Sequence, residues 1–434
     1  MICALFLQVT LPTWLFVVGL IAFAFLAISL AAALFGLTKY RIAHPTTSSL
    51  NSEEFMLMLE ALADAKISEP TSVEVLTNGD QFYDAALKAI RRARKTINLE
   101  AYIFYKGVVT RRFVAALADK ARAGVRVNLV LDGVGNLLTG RAYFRDLVNA
   151  GGRFEWYHPL RFLTIPRYNN RTHRELLIID GEVGFIGGPG FADHWLIAKK
   201  NRPRWRDTMV KVTGRAVMHL QATFAENWLE ASGELITGSD YFPVCEVSDG
   251  RPALVVNSTP SVGGSSRARM LYHVLLAAAQ KSIHLSTPYF IPDIGLKEEL
   301  IRAAQERGVD VKVIVPGRHN DHLLVRAASR AGYGSLLRAG VRIFEYQPAM
   351  MHVKALMVDG IWSVVGSTNF DNRSFGLNDE ANLAVYDPGC TNRLEEDFSR
   401  DLSNSYEITF DDWTRRPVLE RVPEMVGWVL ERQA

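Results

Sequence analysis

The 434-residue sequence predicts two duplicated α/β lobes related by a pseudo-twofold, set behind an N-terminal transmembrane helix. Three observations carry this reading. From Leu11 to Leu37 there is no charged residue, and Leu, Phe, Val, Ile and Ala dominate; such a run is long enough to cross a bilayer's hydrocarbon core. From Val73 onward strands alternate with helices of about a dozen residues, which predicts an α/β layout with parallel pairing. Segments of the first half return about 180 to 190 residues later. Chemistry in one half should therefore have a counterpart in the other.

The N-terminal run is read as a retained anchor. A cleaved signal peptide wants a basic start and a shorter apolar core, and Met1–Trp14 has no Lys or Arg. Lys39 and Arg41 follow the run with nothing basic before it. The positive-inside rule then gives a single-pass protein of the cytoplasmic membrane, with its C-terminal bulk in the cytoplasm. The net charge of +3 neither demands nor excludes nucleic acid. Cys3, Cys245 and Cys390 are far apart, so no disulfide framework or zinc spacing arises, in keeping with a reducing compartment.

Asn51 is read as the N-cap of the next helix, with Glu54 completing a capping box and Phe55, Leu59 and Leu62 on its apolar stripe. Asp80–Lys95 follows as a helix, Ile97–Phe104 as a strand and Arg112–Ala123 as a helix. Gly124–Leu131 is a strand, Arg141–Ala150 a helix and Arg153–Tyr157 a strand. Lys281–Leu285 then repeats the pattern of Lys95–Leu99, Arg307–Val313 that of Ala123–Leu129, and Arg338–Phe344 that of Asn149–Glu155. The division that results is 1–38 anchor, 39–72 juxtamembrane linker and helix, 73–236 first lobe, 237–251 linker, 252–410 second lobe and 411–434 C-terminal amphipathic helix.

The chemistry gathers in Met351–Phe375. His352 and Lys354 are two apart, so on an extended chain they point the same way. An imidazole beside an ammonium suits an anionic oxygen, above all phosphate. Ala355–Val358 reads as a buried strand, Asp359-Gly360 as a turn and Ile361–Val365 as a second strand. Gly366-Ser367 lets backbone and a hydroxyl approach a ligand. The first half carries the counterpart: His173, then Asp180 at the same spacing, with Gly187-Gly188 matching Gly366-Ser367. Two such hairpins can meet and form one site with two imidazoles.

The pattern H-x-K-x-x-x-x-D followed by G-S/G-x-N, met at His352, Lys354, Asp359, Gly366, Ser367 and Asn369, resembles the phospholipase D superfamily. Within it, LTNGDQFYDAALKAIRRARKTINLEAYIF, RTHRELLIIDG, STPYFIPD and FDNRSFGLNDEANL look most like bacterial cardiolipin synthases. The resemblance implies a two-step phosphatidyl transfer without cofactor or metal. One His attacks the phosphodiester and becomes a phosphohistidine, while the other protonates the leaving alcohol and deprotonates the incoming one. By analogy His173 is the nucleophile and His352 the general acid/base, although the sequence permits the reverse. Lys354 would hold the phosphoryl oxygens, and Ser367 and Asn369 would donate to the same group. Asp180 and Asp359 suit the hairpin turns. Each His should have a carboxylate fixing its tautomer: Glu380 for His352 on the family pattern, and Asp207 for His173.

The first copy departs from the pattern twice, with Glu175 in place of Lys and Gly190 in place of Asn. A carboxylate facing a phosphodiester repels it unless protonated or paired. Three readings of Glu175 stand open: a site working with one lysine, a contact to the glycerol or amine of a different acceptor, or a partly degenerate first half. The insertion Leu160–Arg171 mixes apolar residues with arginines, as suits a lip on an anionic membrane, or an ordinary long loop. Asn136–Phe144 would be its opposing edge. Arg202, Arg204 and Arg206 form either a second phosphate contact or a solvated basic strand end. Phosphatidylglycerol or a similar phospholipid is the implied substrate. Hydrolysis of phospholipid or nucleic acid on the same fold, or an impaired lipid-binding relative, are the alternatives. Nucleic acid is disfavoured, because neither His has a long basic cluster nearby.

Overall fold

The computed structural model describes residues 13–27, 41–43, 48–160, 169–198, 202–245, 249–259 and 266–416. The amphipathic helix expected over Pro417–Glu431, and most of the Leu160–Arg171 segment, lie outside them. Residues 13–27 are helical and exposed. Among the described residues no helix is long and apolar enough to cross a membrane, and the spanning helix predicted at Leu11–Leu37 is described only over 13–27. The rest of the run lies outside them.

One 16-stranded sheet runs through both halves of the described chain. At its centre Ile67–Thr77 pairs antiparallel with Arg251–Ser258. Outward on one side come Thr208–Gly214, Val183–Gly187, Leu176–Ile179, Thr96–Ala101, Arg126–Asp132 and Arg153–Tyr157. Outward on the other come Asn378–Tyr386, Trp362–Gly366, Ala355–Val358, Ser282–Ser286, Asp310–Pro316 and Arg342–Tyr346, with Ser405–Ile408 at the edge. The outer strands joined by helices pair in parallel, such as Thr96–Ala101 with Arg126–Asp132. The strands joined by three-residue turns are antiparallel, because a tight turn must reverse the chain. The sheet is thus mixed rather than parallel, as the alternation of elements alone suggested.

Several boundaries shift for local reasons. The cap of Glu53–Ala63 is Ser52, not Asn51: its hydroxyl accepts from Phe55 N at 3.1 Å, while Asn51 Oδ1 accepts from Ser49. This helix packs on the body, with Phe55 edge-on to Trp362 at 6.2 Å and Leu59 in the second-half core. The next helix spans Asn78–Arg92 and the following one Val108–Arg122. Arg141–Ala150 divides into a 3-10 turn, Arg141–Phe144, and a short helix, Arg145–Asn149.

The core explains where a site can form. In Leu176–Ile179, Leu177 and Ile179 face the first half's own cluster around Phe82 and Phe113. Leu176 and Ile178 face the opposite side, as a period of two requires. There they join Val212, Phe224 and Trp228 from the first half and Val255, Met351, Leu383 and Phe398 from the second. One apolar cluster therefore spans the junction and holds the two halves in register.

Both tight hairpins turn at an Asp-Gly pair with positive φ, 52° and 66° at Asp180-Gly181 and 53° and 71° at Asp359-Gly360, as a type I′ turn requires. The Asp180 carboxylate accepts from the backbone N–H of Arg94, Lys95 and Thr96 at 2.7–2.8 Å. Asp359 does the same for Gln280, Lys281 and Ser282 at 2.8–2.9 Å. Seven residues of extended chain put each Asp roughly 20 Å from its His, so neither belongs to the reacting centre with which the sequence pattern grouped it. Asp180→Ala or Asp359→Ala should cost about 2–4 kcal/mol of stability, since three charge-assisted hydrogen bonds to backbone amides are lost. Urea denaturation checks this, and turnover per folded molecule should change far less.

Candidate active site

The two His-bearing segments are brought together by backbone pairing between halves. Arg171–Thr172 lies parallel to Asn378–Asp379, and His173 N donates to Asp379 O at 2.9 Å. In the matching place Arg206 bridges to Met351, and His352 N donates to Arg206 O at 2.8 Å. Each His thus sits beside the strand of the other half that carries a carboxylate.

The carboxylate assignments are therefore crossed relative to the sequence expectation. His173 Nδ1 lies 3.1 Å from both oxygens of Glu380. His352 Nδ1 lies 2.7 Å from Asp207 Oδ2. That expectation pairs Glu380 with His352 and Asp207 with His173, within each half, but the sheet places each acid across the junction. Both acids are fully buried, His352 is 6% exposed and the His173 side chain 15% exposed. With Nδ1 engaged, each imidazole keeps Nε2 for chemistry.

The two pairs are electrostatically unequal. Burial pushes the Glu380 carboxyl up, but the His173 imidazole and the hydrogen bonds from His173 and Ser367 outweigh it, leaving the group below its ordinary range. Glu380 stays an anion. Burial pushes Asp207 up to about 7, against the pull of Lys354 and of bonds from Thr208 N and Trp195 Nε1. Burial, and then Lys354, push the His352 imidazole well below its ordinary value. Near neutral pH the Asp207 carboxyl therefore takes up a proton 2.7 Å from an imidazole whose cation burial disfavours.

Lys354 Nζ lies 2.9 and 3.0 Å from the two ring nitrogens of His352. Their lone pairs diverge in the ring plane, so an ammonium equidistant from both rests on the ring face. It also donates to His352 O at 3.1 Å. Burial lowers its pKa, partly offset by Asp207 and Glu380.

Ser367 does not point its hydroxyl at a ligand. It donates to Glu380 Oε2 and accepts from Ala381 N at 3.0 Å, so it positions the carboxylate. At the matching place Gly188 leaves room instead: a Cβ there would lie 2.2 Å from Asp207 Oδ1 and 3.0 Å from His352 O. Gly188 is thus a close-approach residue for the crossed pair. Asn369 is buried with its Oδ1 unpaired among the described residues.

Glu175 and Gly190, the two departures of the first half, are spatially one change. Glu175 Oε1 accepts from Tyr102 N at 3.1 Å and Ile103 N at 3.3 Å. A Cβ on residue 190 would stand 2.9 Å from that oxygen and 2.8 Å from Ile103 O. Arg174 turns to the other face, where it is fully buried and donates to Thr223 O and Glu226. The second-phosphate reading of the arginines is corrected for Arg206: it is buried against Asp401 at 2.9–3.0 Å. Arg204 pairs with Asp80 at the surface.

Sequence reasoning missed the residues that wall the site. Trp195 and Trp205 flank His352 with ring centroids at 5.5 and 5.3 Å, and Tyr102 stands edge-on to His173 at 5.3 Å. Isolated aromatics carry no spacing signal, and their roles come from packing. Among the described residues no His, Cys, Asp and Glu cluster is arranged to hold a metal.

The family described as cardiolipin synthase, phospholipase D-like domain, matches residues 86–228 and 272–402. Cardiolipin synthase 1 of Bacillus cereus is 33% identical over 389 residues, covering 87% of this chain and 76% of the relative. A cardiolipin synthase of Listeria monocytogenes is 34% identical over 369 residues, covering 84% and 76%. Among solved structures, a phosphatidylserine synthase of Haemophilus influenzae shares the fold, with a TM-score of 0.65 at 17% identity over 88% of this chain and 97% of that one. With both His-bearing halves matched and identity sustained across most of each relative, the chain belongs to the cardiolipin synthase family of phospholipase D-like proteins.

Proposed function

We propose that this protein is a membrane-anchored phosphatidyltransferase that forms cardiolipin, or a related phospholipid, through a phosphohistidine intermediate. The observation that carries the reading is the pair of imidazoles, each oriented through Nδ1 by a buried carboxylate of the other half. His173 Nε2 attacks phosphorus, the bond to the leaving alcohol breaks, and His352 delivers the proton to that alcohol. A phosphatidyl group is then held on His173. The incoming alcohol gives its proton to His352 and attacks, freeing His173.

The electrostatic inequality of the pairs supports this division of labour. A permanent anion at Glu380 stabilises the cation that forms on His173 during attack, the role a carboxylate plays behind a catalytic His. An Asp207 carboxyl that takes up a proton near neutral pH beside His352 suits delivery and return. Lys354 supplies positive charge for the phosphoryl oxygens, and Asn369 a polar contact.

The matching strand orders outward from Ile67–Thr77 and Arg251–Ser258 support two copies of one unit about a pseudo-twofold axis. Exposed Trp14, Phe16, Phe23 and Phe25 on the 13–27 helix support single-pass anchoring in the cytoplasmic membrane, with the catalytic body in the cytoplasm. Phosphatidylglycerol is the proposed substrate.

The test is product analysis of the purified full chain in mixed micelles with phosphatidylglycerol. Free glycerol and cardiolipin are expected in equal amounts. Phosphatidic acid alone would mean that water is the acceptor. No turnover of any lipid would mean that the first half is disabled.

A further inference from the structure

Glu175 stands two residues after His173, where the second half has Lys354 two residues after His352. It is 5% exposed. Its Oε1 is committed to two backbone donors, Tyr102 N and Ile103 N. Its Oε2 is buried with no hydrogen-bond partner. An ionised carboxylate with one bare buried oxygen costs several kcal/mol, whereas a carboxylic acid there costs far less. The surroundings favour the acid as well. Lys354, Asp207, Tyr83 and Tyr105 are the titratable groups that feel Glu175, and Lys354 is already shared among Asp207, Glu380, Asp321 and Glu175. A third buried anion would leave the site negative just where a phosphodiester must enter. Burial accordingly holds the Glu175 carboxyl well above the ordinary range, against its two backbone bonds.

We propose that Glu175 is kept as a neutral acid whose Oε2 hydroxyl donates a hydrogen bond to a non-bridging oxygen of the bound phosphodiester, as the first half's counterpart of the Lys354 ammonium. Gly190 is part of the device, because any side chain there would displace the Oε1 anchor that aims Oε2. The inference rests on the phosphatidyltransferase reading for the identity of the ligand. The protonation of Glu175 does not.

Two measurements on the full chain test it separately. Infrared difference spectra between the natural protein and Glu175→Gln should show a protonated carboxyl band between about pH 6 and 8, and this band should shift when short-chain phosphatidylglycerol binds. No such band would overturn the proposal whatever the enzyme's activity. A band that fails to shift while calorimetry records lipid binding would overturn the donor role. Absence of lipid binding would overturn both the donor role and the phosphatidyltransferase reading, and the band would still report the acid. In turnover, Glu175→Gln keeps a neutral donor and should lose about threefold, against tenfold or more for Glu175→Ala. The alkaline decline through about pH 7 that belongs to Asp207 and His352 should remain in Glu175→Gln, and only a further decline from ionisation of Glu175 should disappear. Equal losses in the two variants, with unchanged folding and pH profile, would sink the proposal.

Discussion

His173→Ala and His352→Ala should each lower phosphatidyl transfer by about 10⁴-fold or more, near 5.5 kcal/mol of lost transition-state stabilisation. The two losses should differ in kind. A phosphatidyl substrate with a good leaving group needs no proton at that oxygen, so it can transfer its phosphatidyl group to His173 in a site lacking the general acid. His352→Ala should therefore accumulate a lipid-modified His173 with such a substrate, detectable by mass spectrometry after rapid denaturation. His173→Ala should accumulate nothing. The opposite outcome would reverse the roles. His352 is buried between Trp195 and Trp205 and His173 is partly buried against Tyr102, so melting temperature should be recorded alongside.

The second large effect follows from the crossed carboxylates. Asp207→Asn and Glu380→Gln should each cost about 10²–10⁴-fold, the range for removing the carboxylate behind a catalytic His. Asp207→Asn should be rescued by the activated leaving group, because Asp207 lies 2.7 Å from His352, the proposed acid/base. Glu380→Gln should not be rescued, because its oxygens lie 3.1 Å from His173, the proposed nucleophile. In double-mutant cycles Asp207 should couple to His352 and Glu380 to His173, by about 0.5–3 kcal/mol. Coupling within each half would refute the crossing. The pH dependence has a definite sign. The Asp207–His352 pair must hold its proton to act as an acid, so with ordinary lipid the first step should weaken as pH rises through about 7. Substrates that need no proton should be spared.

Much of this site was legible in one dimension. The His-to-Asp spacing recurs in the two halves, and apolar Ala355–Val358 reads directly as a buried strand. Asp-Gly at both turns is a local conformational demand that any fold would honour. The Ser367 hydroxyl was legible as a polar group near the ligand but not as a support for Glu380. That difference is one of direction, which depends on where the neighbouring strand Asn378–Tyr386 lies. The Glu175 and Gly190 departures looked like two independent losses. Only the 2.9 Å approach between residue 190 and the Glu175 carboxyl shows that they occupy one space.

By itself the sequence determined the alternating elements, the repeated motif and the residue types that phosphate chemistry needs. These rest on period, turn conformation and charge, which are properties of a few neighbouring residues. The tertiary structure decided which carboxylate serves which imidazole, that Arg206 is a buried structural ion and that tryptophans wall one His. Those depend on strands of opposite halves meeting side by side, as Arg171–Thr172 does with Asn378–Asp379. No local pattern encodes a contact between residues some 200 positions apart, because its energy is gained only once the shared core has closed around it.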